Sequence, residues 1–127
     1  MKWQLIEPQF GDMIRVKAGS IYHYGIFVSD VEVIQFGLNP KLIRDMSPEQ
    51  IVVCTSNMDD FICGEFLEVG VPEGKERRKR NSPTKTVELA RQQLGEGGYH
   101  ILHNNCEHFA YFCMMGVKYS SQTEKFK

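Results

Sequence analysis

A cysteine placed for nucleophilic chemistry stands in the run Asn104-Asn105-Cys106-Glu107-His108-Phe109. Asn104 is a good helix N-cap, and Glu107, three residues on, completes a capping box. The helix this predicts runs through Phe109, Ala110 and Cys113 and stops at Gly116. Cys106 then falls in the first turn, where unpaired backbone N–H groups and the positive end of the helix dipole converge. That setting stabilises a thiolate and is expected to lower the thiol pKa. The bland alternative for a free cysteine is a small buried hydrophobe, and we assign it to Cys54, Cys63 and Cys113. Cys113 shares an apolar helical stripe with Phe109 and Ala110, whereas Cys106 is flanked by polar residues.

A cysteine nucleophile needs a base to take its proton and later return it. The candidates are His23, His100, His103 and His108. His108 follows Cys106 by two residues on the same helix, which turns the two side chains about 200° apart. His100 and His103 precede the helix and remain open on distance alone. His23 lies inside the apolar run Ile21-Tyr22-His23-Tyr24-Gly25-Ile26-Phe27-Val28, where a histidine is either a satisfied structural group or a base. The neighbouring segment, Val31 to Phe36, carries Gln35, whose side-chain oxygen can orient an imidazole and fix its tautomer. The pairing register decides whether they meet. A two-residue turn at Ser29-Asp30, pairing Val28 with Val31, sends His23 and Gln35 to opposite faces. A three-residue loop, Ser29-Asp30-Val31, with Val28 opposite Glu32, puts them on the same face, and this is the expected arrangement. His100, His103, Cys106 and His108 also have the right types for zinc, but their irregular spacing matches no metal motif, so neither a metal nor a cofactor is expected.

The elements around these residues read as α+β. Met13 to Val16, Ile21 to Val28, Val31 to Phe36, Ile51 to Cys54 and Phe66 to Val71 are strand-like in their aromatic and β-branched content. Ser47-Pro48-Glu49-Gln50 reads as a helix start or a turn. Ser82-Pro83 opens a helix whose face carries Val87, Ala90 and Leu94 and which ends at Gly95. Gly97-Gly98 links it to a short extended segment, Tyr99 to Leu102. A small antiparallel sheet of about four to six strands, packed against the cysteine helix and this second helix, is the expected architecture.

With 127 residues, 42% apolar and 24% charged, the chain fits a single domain over 1–127, with its core in about 10–117 and a polar tail at 120–127. A net charge of −1 gives no general attraction to nucleic acid. No apolar stretch is long enough to span a bilayer, and the first residues lack the apolar core of a secretion signal. Four cysteines in such a chain are expected as free thiols in the cytoplasm. Between Glu73 and Asn81 five basic residues fall in six positions: Lys75, Arg77, Arg78, Lys79 and Arg80. Such a run is a solvated loop or, in the minority reading, a peripheral contact for anionic lipid headgroups. No aromatics interleave it, which speaks against single-stranded nucleic acid.

Two segments, His23-Tyr24-Gly25-Ile26-Phe27-Val28 and Asn105-Cys106-Glu107-His108-Phe109, resemble the two signature boxes of the lecithin:retinol acyltransferase-like family. The similarity extends to Gly11-Asp12-Met13-Ile14, ahead of the histidine box, and to Thr86 to Gly95, ahead of the cysteine box, so the resemblance covers about residues 10 to 117. It implies a permuted papain-like fold in which the histidine strand precedes the cysteine helix. It also implies a thioester formed with an acyl group from a phospholipid and passed to water, an alcohol or an amine. By position, Cys106 matches the nucleophile and His23 the base. Gln35 falls where many members carry a second histidine; a neutral amide can orient the base but supports an imidazolium less. The backbone amide of Cys106 is the expected oxyanion donor, since strand alternation disfavours Tyr22 in that role.

The expected function is therefore a thiol-dependent acyl hydrolase or acyltransferase acting on a phospholipid or other acyl ester. A papain-like cysteine peptidase or amidase would use the same residues, and a non-catalytic interaction module could keep the same fold.

Overall fold

The computed structural model describes residues 1–43, 45–101 and 104–120. In chain order its elements are strands β1 (Lys2–Gln4), β2 (Met13–Ala18), β3 (Ile21–Ser29) and β4 (Glu32–Phe36), a 3-10 turn (Pro48–Gln50), β5 (Val53–Ser56), α1 (Met58–Ile62), β6 (Glu68–Val71), α2 (Lys75–Lys79), α3 (Pro83–Gln92) and α4 (Cys106–Met115). The strands form one open antiparallel sheet in the order β1-β6-β2-β3-β4-β5. This is the α+β class expected, with β1, α1 and α2 added.

Strand alternation gives the sheet two buried faces. Met13, Tyr24, Ile26, Ile34, Phe36 and Val53 turn to one side, where Val87 and Ala90 of α3 and Phe109, Ala110, Cys113 and Met114 of α4 cover them. Ile14, Val16, Phe27, Val33 and Val69 turn to the other, beneath Met58 and Phe61 of α1. Each large apolar side chain so buried contributes roughly 1.5–3 kcal/mol. The second, smaller core was not anticipated. It exists because Asn57, whose side chain accepts from the Asp60 amide, caps a one-turn helix directly after β5.

The β3–β4 hairpin departs from the expected loop yet keeps the expected register. Ser29 pairs with Glu32, so the turn is the two residues Asp30-Val31. A bulge between Phe27 and Ser29 then absorbs Val28, and beyond it Phe27 pairs with Val33 and Ile26 with Ile34. One extra residue on one strand reverses the parity that a two-residue turn imposes. His23 and Gln35 consequently share a face, the outcome expected of the three-residue loop.

Several other boundaries shift. The strand expected at Ile51 to Cys54 lies at Val53–Ser56, and the one expected from Phe66 begins at Glu68, leaving Phe66 exposed. The second helix ends before Leu94, which is exposed, with Gln93 as its C-cap. The polar run at 73–81 is not all loop: Lys75–Lys79 form the short helix α2. Of the segment expected at Tyr99 to Leu102, Leu102 lies outside the described residues, and His100 bridges Asn104 in isolation.

Candidate active site

Cys106 opens α4, but the cap is shifted by one residue from its expected place. Asn105, not Asn104, is the N-cap: its side-chain oxygen accepts from the amides of Glu107 and His108, each at 3.0 Å. The capping box is closed by His108, whose Nδ1 accepts from the Asn105 amide at 3.1 Å, and not by Glu107. His108 is thereby committed to the helix start. The Glu107 carboxylate instead accepts from the Ser120 hydroxyl at 2.8 Å. Gly116 ends the helix in the left-handed conformation that a C-cap requires, φ 79°, as expected. Cys113 is fully buried in the helix–sheet core, whereas Cys54 and Cys63 are only half-buried. All four cysteines are free thiols.

The β3–β4 pairs end at Ile26 and Ile34, and β4 runs on against β5 through Gln35 and Phe36. The first turn of α4 meets the side of β3 that β4 has left. There the Cys106 thiol lies 4.0 Å from the Tyr22 carbonyl, as donor, and the Tyr24 amide turns to the same sulfur. Through this parting of the strands a sulfur held over one face of the sheet and an imidazole anchored on the other border a single cavity of about 150 Å³. Its apolar walls come chiefly from Phe36, Leu38, Ile43, Met46, Ile51 and Tyr99. Tyr99, stacked edge-on against Phe36 at 5.2 Å, carries no sequence signal that marks it for the site. Tyr22 borders the cavity too, but its ring lies over the Arg15 guanidinium, 3.9 Å from ring centroid to Cζ.

His23 is almost wholly buried, and its Nε2 is 2.8 Å from Oε1 of Gln35, itself fully buried. The Gln35 amide nitrogen donates to the Ser56 hydroxyl at 2.7 Å and to the Val33 carbonyl at 3.4 Å. With its nitrogen turned to Ser56 and, at the longer distance, to Val33, the amide faces its oxygen to His23, and the Nε2 proton sits on the imidazole. The lone pair then lies on Nδ1. Beneath the ring, Phe61 of α1 stacks at 5.2 Å. Gly25 makes room for it: a Cβ there would stand 2.8 Å from the Phe61 ring and 3.0 Å from Val33.

The electrostatics correct one expectation. Burial pushes the Cys106 thiol up to about 11; the amides of Tyr24, Cys106 and Glu107 pull it down, but the Glu107 charge adds to the rise. Burial likewise takes His23 down to about 4, against the raising effect of its bond to Gln35. Loss of hydration outweighs the helix-terminus effect that the sequence brings to mind. At neutral pH the resting pair is thiol and imidazole, both uncharged.

The other histidines do not join them. His100 is exposed outside the cavity lining, and His103 lies outside the described residues. Among the described residues no group of three or more His, Cys, Asp or Glu side chains is placed to hold a metal ion.

An antiparallel α+β sheet with a cysteine at a helix start, a buried strand histidine and an amide behind it defines the architecture and its candidate site. A sequence model of the family described as lecithin retinol acyltransferase matches residues 6–119, and the chain belongs to that family. It is similar to lecithin retinol acyltransferase of Mus musculus, 28% identical over 136 residues that cover 91% of this chain and 58% of that protein. The Homo sapiens protein of the same name is 28% identical over 134 residues, with the same coverage, and the Bos taurus protein 27%. The chain thus spans 58% of the length of the curated relatives it matches.

Proposed function

We propose that this domain is an acyltransferase or acyl hydrolase that carries its acyl group as a thioester on Cys106. The observation that carries the reading is that Cys106 and His23 both line one largely apolar cavity, with Nε2 of the imidazole held by Gln35. The names of the relatives favour a lecithin-type ester as acyl donor over a peptide. The apolar walls beside the sulfur suit an acyl chain, since each buried methylene contributes about 0.8 kcal/mol.

The reaction follows from the neutral pair. The sulfur attacks the ester carbonyl carbon as its proton passes to Nδ1 of His23. The carbonyl electron pair moves onto oxygen, to which the Cys106 amide at the helix start donates. As the intermediate collapses, the alkoxide leaves with the proton from Nδ1. Water, an alcohol or an amine then attacks the thioester, its proton goes to Nδ1, and the departing sulfur takes that proton back.

Lys75, Arg77, Arg78 and Lys79 are exposed on α2 and supply a cationic contact for an anionic membrane. Arg80 is directed inward to the Gly11 carbonyl and Thr86, at 3.3 and 3.4 Å, and does not belong to that surface. Among the described residues no helix is long and apolar enough to cross a membrane. The four free thiols favour a reducing compartment such as the cytoplasm.

The test is turnover by the whole chain of phosphatidylcholine vesicles and p-nitrophenyl acyl esters beside matched peptide amides. Ester cleavage that Cys106→Ala abolishes supports the proposal. Peptide cleavage without ester cleavage would move the assignment to the peptidase class.

A further inference from the structure

Behind the histidine and glutamine stands a third polar side chain whose chemistry bears on the first two. Ser56, the last residue of β5, accepts from Gln35 Nε2 at 2.7 Å. Its own hydroxyl proton goes to the Asn57 carbonyl at 3.0 Å. That carbonyl is fixed in turn, because it also accepts the Phe61 amide at 3.1 Å in the first turn of α1.

The direction of every bond in this row follows from its far end. The Asn57 carbonyl has no proton to give, so Ser56 must donate to it and can only accept from Gln35. Gln35 must then present its nitrogen to Ser56 and its oxygen to His23. His23 must carry its proton on Nε2, which leaves Nδ1 basic. A flipped Gln35 amide would set its oxygen against the Val33 carbonyl and its N–H₂ against His23. It would favour the opposite tautomer, with the proton on Nδ1 and no base there.

We infer that Ser56 is a positioning residue for the acyl-transfer chemistry, holding the Gln35 amide in the one orientation that leaves His23 Nδ1 unprotonated. The inference rests on the reading of His23 as the base. Where a second histidine would choose its own tautomer, a glutamine must be told which way to face, and Ser56 with α1 does so.

The experiment compares full-length wild type, Ser56→Ala and Ser56→Thr, each labelled with ¹⁵N-histidine, at neutral pH. Wild type shows His23 as the Nε2–H tautomer. Ser56→Ala gives a substantial Nδ1–H population and about a tenfold lower kcat on a p-nitrophenyl ester, with KM within about twofold, as expected for one lost orienting bond. Ser56→Thr, which keeps the hydroxyl, restores both. The side chain is only half-buried at a strand end, and the Thr variant distinguishes loss of the hydroxyl from loss of fold. Wild-type tautomer and kcat in Ser56→Ala would overturn the inference. If wild type itself turns over no ester, the proposed function fails, while the tautomer comparison still decides what Ser56 does.

Discussion

Cys106 and His23 are best understood as a pair that burial keeps uncharged. A thiolate–imidazolium pair would react with alkylating agents at neutral pH, because the thiolate is already formed. Here the thiol is held up to about 11 and the imidazole down to about 4. Iodoacetamide should therefore label Cys106 slowly at pH 7, with a rate that climbs about tenfold per pH unit toward the thiol pKa. A rate already at its plateau near neutrality would show a preformed ion pair instead. Both residues could be singled out in the sequence as candidates, because a histidine in an apolar strand and a cysteine at a helix start are local patterns. Their protonation states could not be read there, because desolvation depends on what the fold brings over them from elsewhere.

Among the elements, the bulge at Val28 and the helix α1 decide whether the site assembles. The bulge rescues a register that the turn alone would break, and no residue type at Val28 announces it. Helix α1 carries Phe61 under the His23 ring, yet its five residues are too few for periodicity to show, leaving Asn57 and the acidic pair Asp59-Asp60 as its only signal. Ser56 was missed for the same reason: a serine at a strand end has meaning only when its partners across the sheet are known. The first signature box gains a physical reading here, since Gly25 is the absence of a side chain that lets Phe61 reach His23. Gly25→Ala should cost about 1–3 kcal/mol by overpacking and should displace the ring. Thermal unfolding measures the first, and a perturbed His23 ¹⁵N resonance the second. An unchanged melting temperature would mean that Phe61 yields without effort and does not brace the imidazole.

On the scale of the whole molecule, a sheet covered on both faces parts beyond the Ile26–Ile34 pair, and the Cys106 thiol lies there. Sequence patterning foresaw the antiparallel sheet and two helices packed against it; the cavity was out of its reach, since its walls come from residues far apart in the chain. Burying a neutral histidine at the centre has a consequence for stability. In the unfolded chain His23 takes up a proton near pH 6.5, and in the folded protein only near about 4. Between these values the unfolded state binds more protons, so the contribution is complete above pH 6.5 and is lost as the pH falls to about 4. The loss is on the order of 3 kcal/mol. Urea unfolding at pH 7, 6, 5 and 4 should show this decline, and a His23→Gln variant should flatten it; an equal slope in both would place the proton uptake elsewhere.

The central claim is that Cys106 takes the acyl group. Its most direct measurement is intact-protein mass spectrometry after rapid quenching of the full chain with an activated acyl ester, followed by peptide mapping. A mass increase of one acyl group, confined to the peptide containing Cys106, released by hydroxylamine and absent from Cys106→Ala, is the result this account predicts. Turnover of the ester with no adduct on Cys106, or with an adduct that persists in Cys106→Ala, would contradict it.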